Sequence, residues 1–225
     1  MQTKVELECA QCGVLACKAG ADVAELPTHC PMRHQGELLD EVRQLYLTDP
    51  DLRNWAVQSA RVEATGYCRQ PRVEEIIAFA RRIEASHIGI ASCVGTLHEA
   101  ALAGQIFEKQ GLTVSTVACK VGSIPKEAVG LTDAEKIRPG QFEALCNPIG
   151  QARLLERAGA QLNVLVGLCV GHDSLFFQHS PVPTTVLVVK DRVTGHNPAA
   201  ALYTSRSYYR RLREPAGGDE SGQGD

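Results

Sequence analysis

The sequence predicts an α/β protein, a mostly parallel sheet of about four strands with flanking helices, preceded by a cysteine-rich N-terminal metal knuckle. Three observations predict it. From residue 87 onward, short runs of β-branched and aliphatic residues alternate with segments of helical periodicity. Three of those runs end on a cysteine with a glycine close behind it: I-G-I-A-S-C-V-G, V-S-T-V-A-C-K-V-G and V-L-V-G-L-C-V-G. Before residue 36 the periodicity is missing, and four cysteines stand among prolines and glycines.

Residues 1–35 form the cysteine-rich segment, spaced Cys9-x2-Cys12-x4-Cys17-x12-Cys30. A C-x2-C knuckle sets two sulfurs on one centre and two more complete a tetrahedron, so Cys9, Cys12, Cys17 and Cys30 are candidate metal ligands. Both zinc and an iron-sulfur cluster accept four thiolates.

Residues 36–213 form the α/β domain with a helical lead-in. In E-L-L-D-E-V-R-Q-L-Y-L the apolar positions Leu38, Val42 and Leu45 share one helical face, and Asp49-Pro50 ends that helix. A second helix is predicted over 51–65, and a third over 72–85 behind Pro71, with Val73, Ile76, Ile77 and Ala80 on one face. These helices are expected to pack on the sheet or lead into it. The alternation then gives strand 87–92, helix 96–110, strand 112–118, helix 147–158, strand 162–168, a short helix over 173–179 and strand 184–189. The piece from Gly122 to Leu145 is too long for a plain connection and reads as a functional loop, with a helical turn around Thr132 to Lys136. Residues 214–225, E-P-A-G-G-D-E-S-G-Q-G-D, have almost nothing to bury and are expected to form a disordered tail.

In a parallel α/β sheet all strands finish at one edge, and ligands bind in the crevice outside it. Cys93, Cys119 and Cys169 follow predicted strands and therefore belong to that edge. Cys146 joins them because Asn147 and Pro148 have the character of an N-cap and first helical residue, and a helix leading back to a strand starts at the same edge. Glycines behind these cysteines let the backbone approach a bulky inorganic group, and helix N-termini favour the thiolate that a metal requires. Polar groups crowd the same place. His172 and Asp191 are candidates for proton transfer, and Lys120, Asp173, Arg192 and His196 for substrate binding, with Asp173 a candidate cap of its helix. Cys68, between helices, is read as a spare thiol.

With these residues in hand, the chain resembles a prokaryotic family of unknown function whose members are usually labelled "metal-binding protein". The likeness rests on C-A-Q-C with Cys17 and Cys30-Pro31, R-V-E-E-I-I-A-F-A, G-I-A-S-C, A-C-K-V-G and C-N-P-I-G-Q-A. Above all it rests on G-L-C-V-G-H-D-S-L-F and V-V-K-D-R-V-T-G-H-N-P, and it runs from Cys9 to about Tyr203. The resemblance implies a metal and no particular reaction.

A net charge of -3, from 23 basic and 26 acidic residues, lacks the basic field of a nucleic-acid or membrane-surface binder. The start of the chain has no secretory signal pattern, so the expected location is the cytoplasm, where nine cysteines, an odd number, point to metal or thiol chemistry rather than disulfides. The leading expectation is an iron-sulfur protein, of the 4Fe-4S type, whose second, cysteine-lined site acts on a small molecule by desulfuration or lyase-type chemistry. The alternative is a zinc-binding structural or sensing module without turnover. A metal-free thiol redox enzyme is a third reading, disfavoured because no C-x-x-C pair lies at the sheet edge.

Overall fold

A computed structural model of the protein describes residues 7–215. The chain divides into two compact units between Thr65 and Gly66. The tail expected over 214–225 falls outside the described residues from 216 onward.

The first unit opens with three single 3-10 turns, Cys9–Gln11, Ala16–Ala19 and Val23–Glu25. Asp22 caps the third turn, its carboxylate accepting from Ala24 N at 3.1 Å. Buried Leu26 anchors the segment: Arg33 donates to its carbonyl at 2.8 Å, and His34 Nε2 shares a hydrogen bond with Thr28 O at 2.5 Å. Three helices follow, α1 (Pro31–His34), α2 (Gly36–Thr48) and α3 (Pro50–Gly66). Asp49 both ends α2 and caps α3, its carboxylate accepting from the backbone amides of Asp51 and Leu52 at 2.9 and 3.0 Å. Leu38, Val42 and Leu45 do share a face of α2, but that face stays exposed and the helix buries no residue. Amphipathic spacing names a face and leaves its partner unstated.

The second unit is the α/β layer. Helix α4 (Arg72–Arg82) buries Ile76, Ile77 and Ala80, as its periodicity requires. Four strands, β1 (His87–Ser92), β2 (Thr113–Ala118), β3 (Leu162–Val166) and β4 (Thr184–Val188), form one all-parallel sheet in the order β2-β1-β3-β4. Between them run α5 (Leu97–Lys109), α6 (Pro148–Arg157) and α7 (His172–His179), and α8 (Ala199–Tyr203) follows β4. The expected strands and helices are therefore present with small changes at their ends.

The strand order has a consequence for function. From β1 the chain crosses to β2 on one side and later to β3 on the other, so the crevice lies beyond the C-terminal ends of β1 and β3. Strand β3 stops at Val166, earlier than its apolar run, because Gly167 turns with φ +69° and packs directly on Thr96. Thr96 is fully buried and donates from Oγ1 to Val166 O (2.8 Å) and Cys93 O (3.1 Å), tying the ends of β1 and β3 together.

The loop between β2 and α6 is ordered by its own contacts. An isolated bridge joins Pro125 to Ala144, Lys126 pairs with Glu143 at 2.5 Å, and Leu145 N donates to Ile124 O at 2.7 Å. Within the loop buried Lys136 meets Asp133 at 2.6 Å and Glu127 at 2.7 Å, beside a 3-10 turn at Asp133–Glu135 that Thr132 and Glu135 close as a capping box.

Two glycines test this packing. A Cβ at Gly89, in the centre of β1, would lie 2.2 Å from Asn163 Oδ1 and 3.0 Å from Ala160 Cβ, whereas one at Gly104 in α5 meets nothing nearer than 3.7 Å. Urea denaturation is expected to show Gly89→Ala destabilised by ~1–3 kcal/mol from overpacking. Gly104→Ala is expected to be neutral or to gain about 0.5–1 kcal/mol from reduced backbone freedom.

Candidate metal centre

Four thiols from four separate segments meet at the crevice. Cys93 follows β1 directly, Cys119 follows β2 directly, Cys169 lies three residues beyond β3, and Cys146 stands just before α6. The cap proposed for α6 is formed: Asn147 Oδ1 accepts from Gly150 N at 2.8 Å and Pro148 is the first helical residue. Asn147 N donates to Cys119 O at 2.7 Å, which fixes the start of α6 against the end of β2.

The sulfurs touch in sequence. Cys146 and Cys119 Sγ are 3.8 Å apart, Cys119 and Cys169 both lie near enough to Cys93 to lower its thiol pKa, and Arg192 Nη2 donates to Cys169 Sγ at 3.1 Å. All nine cysteines of the chain are free thiols. Cys93 and Cys119 are buried, and Cys146 and Cys169 are half-buried. Backbone amides serve two of the sulfurs: Val94 N donates to Cys119 at 3.4 Å and Gly95 N to Cys93 at 3.5 Å.

These contacts separate the ionisation of the thiols. The Cys119 thiol, followed by Gly95 N and the Lys190 charge, draws Cys93 down to about 5 against the opposing effect of burial. Cys146 is likewise lowered to about 5, first by Cys119 and then by Lys120. Cys119 moves the opposite way, held as a protonated thiol between two sulfur anions. It has a single proton to share between them.

The polar residues are placed unequally. Lys120 donates to Ala144 O at 2.5 Å and also hydrogen-bonds Cys146. His172 lies near Cys146, and among the described residues its buried Nδ1 has no hydrogen-bond partner. Asp173 is not the cap of α7. The helix starts at His172 with Gly171 as its N-cap, so Asp173 lies inside the first turn, where its carboxylate accepts from Ser174 N at 2.8 Å. Asp191 is occupied with its own loop: Oδ1 accepts from Val193 N and Thr194 N at 2.9 and 3.0 Å, and those bonds hold its carboxyl below the usual range. His196 completes the same turn, Nδ1 accepting from Asp191 N at 3.1 Å while His196 N donates to Asp191 O at 2.8 Å.

Sequence reasoning passed over one residue that sets the site. Gln151 is fully buried on the inner face of α6, where Nε2 donates to Ser92 O at 3.0 Å and Val117 O at 2.7 Å. It grips β1 one residue before Cys93 and β2 two residues before Cys119. A polar residue three after Pro148 and four before Leu155, on the otherwise apolar stripe of α6, was the available signal.

The donor set suits a soft metal. Thiolate sulfurs select zinc, copper(I) or iron-sulfur chemistry, and two sulfurs bound at ~2.3 Å to one tetrahedral ion would lie ~3.8 Å apart, the separation of Cys119 and Cys146. The contacts run as a chain, 146 to 119 to 93 to 169, rather than around a common point. Among the described residues no three His, Cys, Asp or Glu side chains are gathered as an ion would hold them. Binding by three or four of these thiols therefore requires side-chain rotation from this arrangement. The same statement covers Cys9, Cys12, Cys17 and Cys30, whose backbone forms turns without collecting three of the thiols. Cys68 is exposed, at a left-handed residue with φ 54°.

Residues 30–187 match the family model described as "Protein of unknown function (DUF1847)". The chain belongs to this family. The match includes Cys30, Cys68 and all four sheet-edge cysteines, and it stops before Lys190. A relative from Methanocaldococcus jannaschii, "Uncharacterized protein MJ0455", is 39% identical over 208 residues, covering 92% of this chain and 99% of its own length. Neither finding names a metal. Among the described residues no helix is long and apolar enough to cross a membrane.

The ionisation pattern is measurable in metal-stripped protein. Thiolate absorbance is expected to show Cys93 and Cys146 ionised at neutral pH and lost as pH falls through about 5, with Cys119→Ala moving both upward. Because both folded values lie below the ordinary 9.0, their contribution to stability is full above pH 9.0 and disappears as pH falls toward 5. Cys119, raised in the folded state, works in the opposite direction above pH 9.0.

Proposed function

We propose that this member of the family holds a thiophilic metal centre at the sheet edge, with Cys93, Cys119, Cys146 and Cys169 as its ligands. The single observation that supports the reading is the meeting of four thiols from four separate segments at the topological switch point of a parallel sheet. An iron-sulfur cluster is the first assignment. Two of the thiols are only half-buried, which suits a centre that a small molecule reaches, whereas a structural zinc site is closed.

With three of the four cysteines as its ligands and the fourth released, a cluster of this kind would supply a Lewis-acidic iron to a substrate. The chain's own residues then divide the remaining work. Amides of Val94 and Gly95 and the cations Lys120, Lys190 and Arg192 offset the negative charge of the sulfurs. His172, next to Cys146 with Nδ1 unpartnered among the described residues, is the residue placed to accept or deliver a proton. Asp191 shapes the loop that presents Arg192 and is spent on that task. Sulfur removal or lyase-type chemistry on a small molecule fits this division of roles.

A second reading, a single zinc ion with a structural or sensing task, is favoured by one distance. The 3.8 Å between Cys119 and Cys146 is that of two thiolates on one tetrahedral ion, while sulfurs on different irons of a cluster stand farther apart.

Iron, labile sulfide and zinc counts, with an absorption spectrum, on protein purified without oxygen separate the two. Iron with matching sulfide and visible charge-transfer absorption is the expected result; one zinc per chain and no colour selects the second reading. Serine at position 93, 119, 146 or 169 is expected to cost most of the metal at this centre, whereas Cys68→Ser leaves it unchanged. Metal content indifferent to all four replacements would sink both readings.

A further inference from the structure

We propose that Lys190 and Arg192 form a docking subsite for the carboxylate of a small organic ligand whose other end reaches the sulfur row. The inference deepens the reading of this edge as a ligand-binding centre and does not depend on which metal fills it.

Lys190 and Arg192 stand two residues apart just beyond β4, and both act electrostatically on Cys93. Lys190 is half-buried, with Nζ 3.0 Å from the place a Cβ would take at Gly95, so it leans over the start of the turn that follows β1. Among the described residues it has no carboxylate and no hydrogen-bond acceptor. Ion pairs among the described residues lie in the 122–145 loop and on α6. Arg192 commits one amino group to Cys169, which leaves most of its five donors free. A half-buried ammonium and a guanidinium fork, neither paired with a carboxylate among the described residues, are the elements of an oxyanion site. The planar guanidinium fork of Arg192 beside a lysine ammonium matches the two in-plane oxygens of a carboxylate. The backbone contributes too: the Asp191 and His196 turn holds the loop, so the two cations are preset rather than floppy.

Paired alkylating agents test the subsite without a metal. Iodoacetate and iodoacetamide both transfer a carbon to a thiolate and release iodide, and they differ in the carboxylate. The full-length protein, stripped with a chelator under reducing conditions, is treated with each, and modification is followed cysteine by cysteine by peptide mass spectrometry. Exposed Cys68 is the internal reference. At Cys146 and Cys169 the iodoacetate-to-iodoacetamide rate ratio is expected to exceed that at Cys68 by about tenfold. The iodoacetate rate should saturate with concentration and fall when acetate is added, with phosphate at equal ionic strength having little effect. Lys190→Met should return the ratio to the Cys68 value. Equal ratios at the edge and at Cys68, phosphate competing better than acetate, or an enhancement that survives Lys190→Met would each overturn the proposal. If Lys190→Met does not fold, competition by acetate in the wild-type protein decides. Metal analysis is separate, so a protein without iron or zinc would refute the metal reading and leave this result standing.

Discussion

Sulfur anions packed side by side and partly out of water repel one another, and the sheet edge is organised around containing that repulsion. Cys119 does so from within, keeping its proton between Cys93 and Cys146. The backbone contributes the amides of Val94 and Gly95, and the loops contribute Lys120, Lys190 and Arg192. A thiophilic cation would meet the same electrostatic demand more completely than a proton does, which is why the donor set and the ionisation pattern support one reading.

Containing charge also requires that the sulfurs not drift. Two buried polar side chains act here as clamps. Thr96 ties the end of β1 to the end of β3, and Gln151 ties β1 to β2 from the inner face of α6. Each adds side-chain hydrogen bonds to backbone carbonyls at strand ends; Ser92 O, Val166 O and Cys93 O already accept from Cys119 N, Cys93 N and Thr96 N, so the clamps are second bonds on the same oxygens. The core beneath is aliphatic and aromatic, with Phe107 and Phe176 fully buried, and it carries the stability that lets the edge be devoted to chemistry.

The strands and helices were legible because burial on both faces leaves continuous β-branched runs, and because helix faces repeat at the helical period. The site was legible for a topological reason: parallel strands end together, so Cys93, Cys119 and Cys169 had to share an edge, and the Asn147-Pro148 cap brought Cys146 with them. Other features depended on details that periodicity does not encode. Composition could not tell that Asp191 and His196 would satisfy each other's loop, since both reactive and structural turns use these residues. Helix α7 starts at His172, which makes Gly171 its cap rather than Asp173. The order β2-β1-β3-β4 is set by which crossover lies on which side, and several orders share the same pattern of elements. At the N-terminus, spacing matched a metal knuckle while the turns there do not gather three thiols.

The excursion from Gly122 to Leu145 separates two of the thiols by a long stretch of chain, and yet it is cinched at its neck by the Pro125 and Ala144 bridge, the Lys126 and Glu143 pair and the Lys120 bond to Ala144. Its outer portion is fastened to itself through Lys136. The tip is thereby uncoupled from the root: lengthening, shortening or re-lettering it leaves the bonds that set the spacing of the sulfurs in place.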